Sequence, residues 1–296
     1  MKRNITIFAS LLTLVSCTTD NHLYDASGTF EAIETIVSSE ASGTIKKFDV
    51  LEGQILKQGQ FVGYIDSIQL HLQRKQVHAQ IRAVLSRKPN ISKQLAAEYE
   101  QLSHAKSEQQ RIARLLKADA ATQKQYDDAV SQIAVIEGRI EGQESSLATT
   151  TSSLTQEVQP LQIQIEQLDD QISKCKIVNE VNGTVLEKYA EAYETAVAGK
   201  PLYKIADLSS IILRAYITAD QLSRAKLNQQ VTVLVDAGEG KYTQHPGLIE
   251  WISNQAEFTP KTIQTQDERA NLVYAAKIRV KNDGSLKIGM YGEVKL

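Results

Sequence analysis

The chain has 296 residues, with 33 Lys plus Arg against 35 Asp plus Glu and a formal net charge of −2. That balance excludes a general nucleic-acid binder, which needs a basic excess to neutralise phosphates, and two cysteines exclude a disulfide framework. A hydrophobic content of 42% excludes whole-chain disorder, yet the aromatic fraction is only 6% and unevenly spread. Residues 67–174 hold just Tyr99 and Tyr126 of the 17 aromatics, and just Gly138 and Gly142 of the 15 glycines. This third of the chain follows different rules from the rest.

At the N-terminus, Lys2 and Arg3 precede an apolar stretch from Ile5 to Val15. It is shorter than the roughly 20 residues that span a bilayer and suits the core of a signal peptide. It ends in Leu14-Val15-Ser16-Cys17, which resembles the bacterial lipobox. The resemblance implies a lipoprotein signal peptide over residues 1–16, acylation of Cys17, and a polar lipid-anchored linker over 17–27. No later stretch is long and apolar enough for a transmembrane helix.

Short apolar runs with glycine turns then appear twice. Gly43-Thr44-Ile45, Gly59-Gln60 and Ile65 recur as Gly183-Thr184-Val185, Gly199-Lys200 and Ile205. The first and second glycines lie 16 residues apart in both copies, and each isoleucine lies 22 beyond its first glycine. Together with Gly53, these glycines mark the turns between strands, where positive φ costs glycine little. Equal internal spacing predicts a pseudo-symmetric β unit, with its halves at 28–66 and 175–206 and an insert between them. Tyr193 stands where the repeat places Gly53, so that turn is expected to be reshaped.

The insert, 67–174, reads as an antiparallel helical hairpin. Leu161, Ile165, Leu168, Ile172 and Cys175 step by three and four, as do Ala129, Ile133, Ile136 and Ile140, with Leu147 beyond. So narrow a stripe is a coiled-coil seam. Val77, Ile81, Val84, Leu95, Leu102, Ile112 and Leu116 supply the opposing arm. Ala118 to Ala121 lies at the midpoint, so each arm of about 50 residues reaches roughly 75 Å. Pro89 should break the first arm, and Thr149–Ser152 should weaken the second at a matching level. Beyond 207, alternating runs such as Ile211–Ile217 and Val231–Val235 predict a small β-barrel domain over 207–296. Asn282-Asp283-Gly284 carries a hairpin-turn signal.

No catalytic or metal site is expected. His71 and His78 lie about 10 Å apart along one helix, too far for one ion. Asp127-Asp128 and Asp169-Asp170 are adjacent pairs that splay apart. No phosphate-binding glycine loop, nucleophile elbow or Cys-x-x-Cys occurs. Cys175 continues the seam and is expected to be a buried thiol.

On the order of these parts, with Ser42–Ile45 to Gly59-Gln60 and Gly183–Val185 to Pro201-Leu202 as local evidence, the chain resembles HlyD-type membrane fusion proteins. These are the periplasmic adaptors of tripartite export systems. The resemblance implies an elongated α+β fold: a lipoyl-like β domain split by a long antiparallel coiled-coil α-hairpin, followed by a small β-barrel. Ala256–Lys261, Arg269 and Leu272–Tyr274 resemble the subgroup that works with ABC transporters, and Gly289-Met290 is also family-like. The family usually carries a proline near the position of Asn179-Glu180-Val181, a departure expected to alter the local turn geometry.

The implied partners are an inner-membrane transporter, with ABC type favoured over a proton-driven RND pump, and a TolC-like outer-membrane channel. A ring of six copies is also implied, as is anchoring in the inner membrane of a Gram-negative bacterium. No cofactor and no enzyme activity are implied, and no large membrane-proximal domain is expected after the barrel. At the tip, Arg111, Leu115 and Thr122 keep the spacing with which such adaptors dock on channels, with Thr in place of Ser. Leu116, Asp119, Tyr126 and Asp127 flank them. Two rival readings are a lipid-anchored spacer that binds no channel and a biotin or lipoyl carrier. The carrier is disfavoured because a 108-residue hairpin occupies the turn that would present the modified lysine.

Overall fold

The computed structural model describes residues 24–238, 241–258 and 272–296. The signal peptide, Cys17 and most of the linker lie outside the described residues, as do Thr259–Lys261 and Arg269. No helix among the described residues is long and apolar enough to cross a membrane.

In chain order, β1 (Ala26–Glu31) comes first, followed by β2 (Glu34–Ser38), β3 (Gly43–Phe48), β4 (Ile55–Leu56) and β5 (Phe61–Ile65). The hairpin comprises α1 (Ile68–Leu85), α2 (Ile91–Gln94), α3 (Ala96–Lys117) and α4 (Gln123–Lys174). The second half then supplies β6 (Lys176–Val178), β7 (Gly183–Lys188), β8 (Thr195–Ala196) and β9 (Pro201–Ala206). The tail holds β10 (Ser210–Thr218), α5 (Ala219–Leu222), β11 (Gln230–Asp236), β12 (Tyr242–Ile252), β13 (Glu257–Phe258), β14 (Leu272–Lys281) and β15 (Tyr291–Lys295).

The split β unit is a sandwich of two four-stranded sheets, β2-β9-β7-β4 and β6-β5-β3-β8. Strands β7, β8 and β9 begin 140 residues after β3, β4 and β5, and each sheet mixes strands from both halves. Neither half can bury its apolar face alone, so Ile45, Leu56 and Ile65 share one core with Val185, Leu202, Tyr203 and Ile205. The repeat extends to individual hydrogen bonds. Ser39 N–H donates to the Lys200 carbonyl and the Ser39 carbonyl accepts from Gly199 N–H; Asn179, 140 residues on, pairs in the same way with Gln60 and Gly59.

The turn at Tyr193 is not reshaped. Its φ of 75° matches the 81° of Gly53, so a bulky residue holds a left-handed conformation made for glycine. Tyr193 is exposed and has no burial to offset the strain. Tyr193→Gly is therefore expected to stabilise the protein by about 1 kcal/mol, read as a higher urea midpoint at unchanged slope.

The hairpin follows the seam. Val77, Val84, Leu95, Ile136, Ile140, Leu147, Leu154, Ile165 and Leu168 are buried. The ascending arm breaks as Pro89 requires, and Asn90 caps the short α2 by accepting from Lys93 N–H at 3.1 Å. The descending arm does not break: α4 runs for 52 residues, about 78 Å. The hydroxyls of Thr149, Thr150 and Thr151 fold back onto carbonyls four residues earlier, at 2.9–3.0 Å, so they stay within helical geometry. Pro160 also lies inside α4, its cost of about 3 kcal/mol met by packing of Leu161, Ile165 and Leu168 on α1.

The tail is a closed six-stranded barrel, in the order β1-β15-β11-β12-β14-β10 with β10 returning to β1. The sequence reading put residues from 28 onward in the split β unit, but β1 pairs with β10 and β15 and so belongs to the barrel. Its burial alternates strictly, and Ala26 and Phe30 enter the barrel core. Asn282-Asp283-Gly284 is a turn but not a β-hairpin, since β14 and β15 each pair with other strands. The Asn282 side chain instead ties the loop, accepting from Gly284 and Leu286 N–H and donating to the Leu208 carbonyl. That loop carries Leu286 into the core as a plug.

Candidate functional site

The hairpin tip is ordered by two linked caps. Helix α3 ends at Lys117, and the N–H groups of Asp119 and Ala120 return to the carbonyls of Leu116 and Leu115. This is a Schellman closure, with Asp119 at φ 54° where glycine is usual. Thr122 then opens α4 with a capping box: its hydroxyl accepts from Gln125 N–H at 3.3 Å, and Gln125 Oε1 accepts from Thr122 N–H at 2.8 Å.

The cross-arm pairs fix where the apex falls. Arg74–Asp169, Arg87–Glu157, Lys106–Glu137 and the bond from Tyr99 Oη to Glu144 are all centred on residues 121–122. The register therefore passes the Pro89 break without slipping. Asp119, Ala120 and Thr122 occupy the apex, Arg111 and Leu115 lie on the last turns of α3, and Tyr126 and Asp127 on the first turn of α4.

Each predicted tip residue has a definite environment. Arg111 is exposed and grips Glu108 through two bonds, at 2.9 and 2.5 Å. That pairing lowers the Glu108 carboxyl and raises the Arg111 guanidinium from their ordinary values. Leu115 and Leu116 are half-buried beside the seam. The Thr122 oxygen is used in the cap, which leaves its O–H free to donate outward. Tyr126 Oη accepts from Gln109 Nε2 at 3.0 Å, binding the two arms just below the apex, and Asp127 accepts from Gln123 at 2.8 Å. The tip thus presents a cation, an apolar side chain and a hydroxyl on a rigid frame. Sequence reasoning missed both the capping box and the Arg111–Glu108 pair, although each has a local signal: the Thr122-x-x-Gln125 spacing, and an acid one helical turn before Arg111.

The turn glycines lie where the repeat places them. Gly53, Gly59 and Gly199 have left-handed φ, Gly43 opens β3, and Gly183 opens β7. A Cβ on Gly183 would stand 2.5 Å from the Ala206 carbonyl oxygen, so close packing between β7 and β9 requires glycine there. Cys175 is buried in the sandwich core, and burial pushes its thiol up. No group of three metal-ligating side chains occurs among the described residues. Asp169 and Asp170 turn to Arg74 and Lys174 respectively.

No family model matches the chain. It is 34% identical over 115 residues to a UPF0194 membrane protein of Enterobacter sp. (strain 638), covering 38% of this chain and 34% of that protein. Another UPF0194 membrane protein, from Acidithiobacillus ferridurans, is 32% identical over 110 residues, or 37% of this chain and 32% of the relative. The match thus spans about a third of the length of these curated relatives. Among solved structures, MacA from Actinobacillus actinomycetemcomitans superposes with a TM-score of 0.56 at 21% identity, covering 91% of this chain and 76% of that one. A MacA–MexA chimera carrying the Pseudomonas aeruginosa MexA α-hairpin domain gives a TM-score of 0.51 at 22% identity, covering 91% of this chain and 78% of that one. The split sandwich, the long hairpin and the closed barrel thus share the fold of MacA over most of this chain.

Proposed function

We propose that this chain is the periplasmic adaptor of a tripartite export system, joining an inner-membrane transporter to a TolC-like outer-membrane channel. The observation that carries the reading is the tip. The cross-arm register puts Asp119–Thr122 at the apex of the hairpin, with Arg111 and Leu115 just below. An apolar side chain flanked by hydrogen-bond donors on a doubly capped turn suits docking into a groove between helices of a channel. Resemblance of the Ala256–Lys261 segment to the ABC-associated subgroup supports an ABC transporter as the energy source. A lipid at Cys17 would anchor the chain on the inner membrane, and a ring of copies, six by the same resemblance, would form the conduit. The protein supplies a passage and a mechanical link, and no chemistry.

A photo-crosslinking amino acid placed at position 115 tests this in cells. It is expected to capture the outer-membrane channel, whereas the same group at the exposed, mid-hairpin position 143 is expected to capture none. Equal capture, or none at 115, would rule out tip docking and leave the lipid-anchored spacer.

A further inference from the structure

The barrel has two ends with opposite character. Both of its connections to the sandwich, residues 32–33 and 207–209, leave from one end. The other end gathers the start of β1, the end of β10 with α5, the start of β11, the end of β12 and the β13–β14 pairing. Large apolar side chains stand exposed there: Phe258 at 86%, Leu227 at 59%, Leu272 at 54% and Trp251 at 42%. Phe258 and Leu272 are direct cross-strand partners, so their apolar surface is continuous. Leu227 precedes Asn228, whose φ of 63° turns the chain and whose N–H donates to the Ile249 carbonyl beside Trp251. None of the four belongs to the barrel core.

The chain enters β1 at this same rim. Cys17 lies seven residues before Tyr24, a reach of at most about 25 Å when fully extended. If Cys17 holds acyl chains in a bilayer, Tyr24 is kept within that distance of the lipid, at the rim that also carries Phe258, Leu272, Leu227 and Trp251. We infer that this rim is a lipid-binding surface, whose apolar side chains enter the interface of the membrane that holds the anchor. The inference rests on the anchored reading of Cys17 and adds a second contact to it. Trp at a membrane–water interface, with Lys277 stacked at 5.8 Å over its ring, is a chemically suitable arrangement. Two contacts, one acyl and one side-chain, would hold the hairpin axis at a set angle to the membrane, which a flexible linker alone cannot do.

Trp251 is the one tryptophan of the chain and reports on the rim directly. The full protein, purified with its own lipid, is reconstituted in plain and in brominated phosphatidylcholine vesicles. Trp251 emission is expected to be at least about twofold lower in the brominated vesicles, the depth reached by interfacial apolar faces. Phe258→Asp with Leu272→Asp is expected to restore the emission while the protein still sediments with the vesicles through its anchor. Mass measurement of the same sample reads the lipid on Cys17 independently. Lipid present with equal emission in both vesicles overturns the rim inference, leaves the anchor standing, and assigns the rim to a protein partner. Lipid absent with equal emission overturns both. Quenching without lipid sustains the rim contact and removes only the anchor.

Discussion

Arg111→Asp combined with Leu115→Asp is expected to abolish export while leaving the protein folded and at the membrane. Arg111 is exposed and pairs with Glu108, one turn away, so an aspartate there sets two like charges side by side at small folding cost. Leu115 is half-buried, and an acid in the last turn of α3 opposes the helix dipole by about 0.3–1 kcal/mol. The damage to folding is therefore local and modest, and helical circular dichroism should be unchanged. The damage to docking should be large. Losing one central anchor costs about 2 kcal/mol or more, roughly 30-fold in affinity, and two act together at every tip. The measurement is cargo export or drug resistance in cells, beside the amount of membrane-bound protein. Export at the unmutated level with normal abundance would defeat the docking assignment. Arg111→Lys, which keeps the charge but loses the planar fork, should give an intermediate loss.

The largest stability effect is expected at Asn179. This side chain is fully buried and uses its polar atoms three times. Its amide donates to the carbonyls of Lys57, at 2.9 Å, and Val181, at 2.5 Å, while its oxygen accepts from the Tyr203 hydroxyl at 2.9 Å. It therefore ties the two halves of the sandwich together. Asn179→Leu removes the donor to the Val181 carbonyl and the acceptor of the buried Tyr203 hydroxyl, while the Lys57 carbonyl keeps its bond from Gln60 N–H; it is expected to cost about 2–4 kcal/mol, enough to unfold a marginal domain. Tyr203→Phe strands only the Asn179 oxygen and should cost about 1–2 kcal/mol. Urea midpoints of the two variants decide the matter, and equal effects would show that Asn179 is not the hub. Burial also pushes the Tyr203 hydroxyl up to about 12 from its ordinary 10. The folded state then holds this proton more tightly than the unfolded state, so stability should fall as pH rises between those two values.

Much of this protein is legible in its sequence because its periodicities are local and redundant. The 140-residue offset between β3–β5 and β7–β9 follows from glycine spacings that turns demand. The hairpin seam follows from Leu, Ile and Val recurring every three or four residues, which only a helix brings to one side. The apex could be located by counting, since two antiparallel arms must meet at their midpoint. Other features depended on partners distant in the chain. Nothing in Ala26–Glu31 itself says that its neighbours are β10 and β15. The Thr149–Thr151 run and Pro160 disfavour helix locally, yet packing of the flanking apolar residues against α1 and α3 keeps α4 continuous through them. Tyr193 keeps the glycine conformation because the strands on either side hold the turn. Sequence periodicity alone thus determined a split β unit, an inserted hairpin and the position of its tip. Only the tertiary structure decided which strands close the barrel, where the helix stays whole and which buried amide joins the halves, because each of those is a competition between local preference and the burial of residues far apart in the chain.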